Sequence, residues 1–188
     1  MQALIEDQVQ HMSRLVDDLL DVSRASTGKM RLDCHNVDML QIIHQAIEVC
    51  SPLMTSNHLQ FTAELPKCAL TVEGDPVRLT QILSNLLGNA AKYTPAGGSV
   101  MLSVTAQAGQ LQMSIRDDGI GISAQALPFI FEPFVQDVHA AGFNGAGLGI
   151  GLTVVRELVE AHGGTVTGMS EGDGKGSEFV VTLPLVKN

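Results

Sequence analysis

Between residues 75 and 95 the chain encodes a helix whose two ends are set by chemistry, and no other segment constrains the fold as much. Asp75 can accept hydrogen bonds from the free amides of a first turn, and Pro76 at the first helical position has no amide to leave unpaired. Leu79, Ile82, Leu83, Leu86 and Leu87 then recur at helical spacing, so one face has to be buried against a second layer. Thr94-Pro95 stops the helix, because the residue before a proline is pushed out of the helical region. Asn85 and Asn89, four residues apart, leave the helix on one side and can turn their carboxamides toward a hard cation and phosphate oxygens. Lys92 lies three residues further round and brings a positive point charge.

The segments around this helix alternate between the two periodicities. Strands are expected over residues 30–37, 59–65 and 70–73, with a helix from the Asp38 N-cap that buries Leu40, Ile43, Ile47 and Cys50. Residues 100–105 and 111–116 read as an antiparallel pair joined through Ala108-Gly109. A short helix over 125–131, a helix over 150–162 and strands over 165–169 and 178–183 complete the pattern. The glycine-rich stretch 135–149 lacks periodicity and is too long for an ordinary connection, so it reads as a functional lid or as disorder. The expected class is α+β: a two-layer α/β sandwich with a mixed, mostly antiparallel sheet and helices on one face.

Ahead of that domain, Ile5, Val9, Met12, Val16 and Leu19 repeat at alternating steps of four and three, as in a bundle or coiled-coil helix ending near Gly28. Two units are therefore expected, an incomplete bundle helix over 1–28 and a domain over 29–188. The opening in mid-helix, with no apolar leader, reads as a piece of a longer protein. Eleven basic against 20 acidic residues give a net charge of −9, which repels nucleic acid. No apolar run approaches the roughly 20 residues of a membrane helix, so no membrane contact is expected from this piece. Cys34, Cys50 and Cys68 lack metal-ligand spacing and sit in apolar-rich stretches, the pattern of reduced structural thiols in a cytoplasmic protein.

Three glycine-rich loops follow the Asn85 helix: Asp117-Asp118-Gly119-Ile120-Gly121, Gly145-Ala146-Gly147-Leu148-Gly149 and Gly174-Lys175-Gly176-Ser177. In the first, Asp117 ends a strand and can accept from an exocyclic amine, while Gly119 and Gly121 let the backbone approach a flat ligand. The second runs into a helix start, where free amides and the helix dipole favour phosphate. Taken singly, a glycine cluster is more often a plain turn than a site: the first could be a strand-ending turn, the second a linker, and the third reads more readily as a hairpin.

Together with the Asn helix and Phe131-Glu132-Pro133-Phe134, the loops make five motifs in order across about residues 75–179, and the chain resembles the catalytic, ATP-binding domain of a bacterial sensor histidine kinase. Residues 1–28 resemble the second helix of that family's dimerisation and phosphoacceptor domain. The resemblance implies Mg²⁺ on Asn89, phosphates near Asn85 and Lys92, Tyr93 packed at the nucleotide and Asp117 on the adenine amino group. It also implies a nucleotide pocket that includes Gly119, Gly121, Ile122, Phe134, Gly145, Gly147, Leu148, Gly149 and Ser177, with Phe131 and Phe134 linking a mobile lid to the bundle. The implied partners are the protein's own phosphoacceptor domain, in a homodimer, and a response-regulator receiver domain.

The implied activity is transfer of the γ-phosphoryl of Mg-ATP to a histidine for relay to an aspartate. ATP-hydrolysing proteins of the fold, such as gyrase, typically carry a glutamate where this chain has Asn85, and an amide cannot take a proton from water. The alternative is a docking module that keeps the fold and the nucleotide without catalysis. The family's acceptor histidine is missing: His11 lacks an adjacent carboxylate, and His35, His44, His58, His139 and His162 lack paired ligand spacing and read as ordinary residues. Residues 135–146 hold no arginine or lysine, although many relatives place one near the γ-phosphate.

Overall fold

The computed structural model describes residues 31–137 and 148–186, so the expected bundle helix, Gly145, Gly147, His11 and His139 lie outside the described residues. The chain folds in the order β1 (His35–Asp38), α1 (Met39–Ser56), β2 (Gln60–Glu64), β3 (Thr71–Gly74), α2 (Pro76–Tyr93), β4 (Ser99–Gln107), β5 (Gln110–Asp117), α3 (Gly151–Ala161), β6 (Thr165–Met169) and β7 (Ser177–Pro184). A five-stranded sheet runs β2-β4-β5-β7-β6, with β2 parallel to β4 and every other pairing antiparallel. The short β1 and β3 pair apart from it.

Strand alternation decides which side of the sheet the helices cover. Val100, Leu102 and Val104 on β4, Leu111, Met113 and Ile115 on β5, and Phe179, Val181 and Leu183 on β7 all point into one core. The helices supply the facing layer, with α2 packed against both α1 and α3. The two-layer, mixed-sheet expectation therefore holds.

Helix α2 starts and stops as its sequence dictates. Asp75 Oδ1 accepts from the amides of Val77 (3.0 Å) and Arg78 (3.2 Å), and Thr94 leaves the helix in an extended conformation with its hydroxyl donating to Ala90 O at 2.7 Å. Ala108 and Gly109 both take positive φ, which matches the twist of the tight β4–β5 hairpin.

Elsewhere the boundaries shift. Of the strand expected over 30–37, the described residues form only His35–Asp38, and Asp38 doubles as the α1 N-cap, accepting from Leu40 N at 3.0 Å. On α1 the fully buried positions are Met39, Ile42, Ile43, Ala46, Cys50 and Met54, while Leu40 and Ile47 are only partly covered. A helix wedged against a neighbour buries a wider stripe than a single seam, so small residues such as Ala46 count as core. In place of the helix over 125–131 there is one 3-10 turn, Leu127–Phe129, where Pro128 removes an amide that a longer helix would need. Of the three cysteines only Cys50 is buried; Cys34 and Cys68 are exposed, which corrects their reading as structural thiols.

Candidate functional site

The sheet register assembles one edge of the site. On β5, residues 111, 113, 115 and 117 share the buried side, so Asp117 ends an apolar stripe with its carboxylate turned inward and only 7% exposed. Pairing of β5 with β7 sets Asp117 opposite Ser177. Asp117 Oδ1 accepts from Gly119 N at 2.9 Å and Ser177 N at 3.3 Å, and Oδ2 accepts from the Ser177 hydroxyl at 2.6 Å. Burial pushes the Asp117 carboxyl above the usual carboxylate range, against those hydrogen bonds, and neighbouring Asp118 adds to the rise. Oδ2 keeps a lone pair for one further donor.

Asp117 lines a cleft of about 670 Å³ beside α2. Asn85, Asn89, Lys92 and Tyr93 line it from the helix, Gly121 and Ile122 from the loop after β5, Leu148 and Gly149 from the approach to α3, and Ser177 from β7. The Asn89 carboxamide has no partner among the described residues. Asn85 Nδ2 reaches Gly151 O at 3.5 Å, tying α2 to the start of α3. The Lys92 ammonium lies 4.8 Å from the centre of the Tyr93 ring and forms no ion pair among the described residues. Helix α3 begins without a side-chain cap, and its first residues Gly151 and Leu152 face the cleft, leaving free amides there.

Two residues singled out from the sequence lie off the cleft wall. Gly119 packs against the end of α2: a Cβ there would strike Tyr93 O, and the adjacent Ile120 N donates to the same carbonyl at 3.1 Å. Phe134 is 65% exposed and takes φ +65°, with its amide donating to Gly149 O at 2.9 Å. Phe131 instead packs inward, edge-on to Phe179 with centroids 6.3 Å apart.

Sequence reasoning missed Ser170, whose hydroxyl joins the loop after β5 to the β6–β7 connection. A serine beside glycines gives no signal of such a junction. His162, read as ordinary, is buried at the end of α3. Its Nε2 accepts from Asp75 N at 3.1 Å, which puts the ring proton on Nδ1, 2.7 Å from Leu158 O. It thereby couples the end of α3 to the N-cap of α2.

A family model described as histidine kinase-, DNA gyrase B-, and HSP90-like ATPase matches residues 74–187. The chain is 34% identical over 96% of its length to the adaptive-response sensory kinase SasA of Synechococcus sp. (strain JA-3-3Ab), covering 47% of that protein. It is 31% identical over 97% of its length to the sensor protein GacS of Pseudomonas syringae pv. syringae, covering 21%, and 32% identical over 95% to the sensor histidine kinase WalK of Bacillus subtilis (strain 168), covering 29%. The chain thus spans less than half of each of these relatives. Among solved structures, full-length ShkA in complex with AMPPNP superposes with TM-score 0.82 at 30% identity, over 99% of this chain and 38% of that one. The Acinetobacter baumannii histidine kinase AdeS superposes with TM-score 0.78 at 25% identity, over 99% of this chain and 84% of that one.

Proposed function

The chain belongs to the histidine kinase-, DNA gyrase B-, and HSP90-like ATPase family, and we propose that it is the catalytic part of a two-component sensor histidine kinase that binds Mg-ATP in the α2 cleft. The observation that carries this reading is the buried Asp117 carboxylate, held by Gly119 and Ser177, with one acceptor site left in a cleft that also presents free helix amides. A purine bearing an exocyclic amine satisfies the carboxylate, and phosphates satisfy the amides and Lys92.

The residues of the cleft fit a magnesium ion only in part. Among the described residues no group of three or more histidine, cysteine, aspartate or glutamate side chains could hold a metal, so the Asn89 carboxamide would share the ion with phosphate oxygens and water. Bound there, the ion would offset charge on the phosphates. Lys92 and the α3 amides hold the phosphate chain in line, which is most of what phosphoryl transfer asks of a protein. The terminal P–O bond breaks with ADP as the leaving group, and a P–N bond forms to a histidine of the phosphoacceptor domain. Asn85, an amide, does not deprotonate water, which favours that acceptor over hydrolysis. In the complete protein, residues 1–28 belong to the dimeric phosphoacceptor bundle, residues 29–188 form the catalytic domain, and the phosphoryl group passes on to an aspartate of a response regulator in the cytoplasm.

Titration calorimetry with ADP and Mg²⁺ tests the pocket. Wild type should bind, and Asn89→Ala or Asp117→Ala should remove most of the affinity; undiminished binding in both variants would defeat the assignment. Transfer is tested separately by mixing the chain with a phosphoacceptor helix pair and labelled ATP. Persistent absence of histidine phosphate would leave a nucleotide-binding docking module.

A further inference from the structure

One hydroxyl that the catalytic reading does not use holds the loops beside Asp117 together. Ser170 follows β6, and its Oγ accepts from Ile122 N at 3.0 Å and Gly172 N at 3.3 Å while donating to Gly176 O at 2.7 Å. A serine hydroxyl has one proton and two lone pairs, so these three bonds use its whole capacity. Two backbone bonds run alongside, Gly174 N to Ile120 O at 2.6 Å and Gly176 N to Gly119 O at 3.0 Å. The loops touch so closely that a Cβ at Gly121 would strike Gly172 O, and one at Gly176 would strike Asp117 O.

The geometry of the peptide group turns this junction into a lever on the carboxylate. A trans peptide is planar, with its C=O and N–H pointing in opposite directions, so fixing one end aims the other. The carbonyl that Ser170 holds belongs to the Gly176–Ser177 peptide, whose N–H donates to Asp117 Oδ1 at 3.3 Å. The amide that Ser170 receives belongs to the Gly121–Ile122 peptide, and both of those residues line the cleft.

We propose that Ser170 is a positioning residue for base recognition: by clamping these two peptides it keeps Asp117 and Ser177 in the arrangement that accepts a 6-amino purine and disfavours one with a carbonyl at that position. The proposal rests on the adenine-nucleotide reading of the cleft given above. Without the hydroxyl, Gly176 O and the two amides are left to water and the Ser177 amide loses its aim, whereas the phosphate end of the cleft is untouched.

Calorimetry with ADP and with inosine diphosphate, which differ at the purine 6-position, separates this role from general support. Wild type is expected to favour ADP. Ser170→Ala is expected to lose roughly tenfold in ADP affinity, with the ADP-to-inosine-diphosphate preference falling by a similar factor, as for a lost hydrogen bond or two. Ser170→Thr keeps the hydroxyl and should restore both. Thermal melts fix a temperature at which every variant is folded, and Ser170→Cys, with its weaker donor, serves if the alanine variant melts too low. Equal weakening toward both nucleotides, with the preference intact, would overturn the proposal. A wild-type protein with no preference for ADP would instead defeat the adenine reading beneath it.

Discussion

Asp117→Asn separates what this residue does for a ligand from what it costs the fold. The side chain is nearly isosteric, so its oxygen can still accept from Gly119 N and Ser177 N, while the new amino group faces the Ser177 hydroxyl, which can accept from it. What disappears is the acceptor left for an exocyclic amine, replaced by a donor that opposes it. A hydrogen bond to a charged group is worth ~1.5–3 kcal/mol and an unsatisfied buried donor costs a further ~1–3 kcal/mol, so ADP affinity should fall by ~2.5–6 kcal/mol, or ~70- to 25,000-fold. Stability should move the other way or hardly at all. The folded-state pKa of Asp117 is raised by burial, so the native chain binds this proton more tightly than the unfolded chain does. Protonation therefore stabilises the fold: the ionised carboxylate is a liability at neutral pH, relieved as pH falls through the raised pKa and fully relieved below the unfolded value. Urea denaturation at pH 7 should find the asparagine variant within ~1 kcal/mol of wild type or more stable, with the difference shifting toward wild type in acid. Retained affinity together with a large loss of stability would refute the reasoning, since Asp117 would then be a structural residue.

Two further outcomes follow from groups outside the cleft. His162→Ala removes the acceptor for Asp75 N and a buried ring, and should cost ~2–4 kcal/mol in chemical denaturation; a change below ~1 kcal/mol would mean that the α2–α3 coupling is unimportant. Burial pushes the Cys50 thiol up to about 11, so native alkylation at pH 8 followed by mass spectrometry should leave Cys50 intact and modify exposed Cys68, with Cys34 slower because burial and then Asp75, Glu73 and Asp33 raise its pKa. Labelling of Cys50 at a rate comparable to Cys68 would contradict this.

Helix α2 was legible because every signal in it is local: cap, proline, periodic leucines and a proline stop lie within one stretch of sequence. The same locality placed Asn85, Asn89 and Lys92 together on one side of a helix, and the tight turn at Ala108-Gly109 in its hairpin. What stayed hidden depends on contacts between distant segments. No pattern in the chain sets Asp117 opposite Ser177, because strand register is decided by which faces share the core. The Ser170 junction and the His162 bond to Asp75 cross 48 and 87 residues of sequence, beyond any periodicity. Gly119 was read as an approach for ligand, whereas its missing Cβ makes room for the Tyr93 carbonyl. The exposed cysteines were misread because apolar neighbours in sequence are not neighbours in space.

The amide of Phe134 and the carbonyl of Gly149 meet at 2.9 Å, and the Gly149 backbone, at φ +70°, leaves no space for a side chain against Val135 O. These contacts join the segment after Phe131, backbone to backbone, to the residues that lead into α3, so a side chain at position 149 would part them and loosen the start of the helix that lines the cleft.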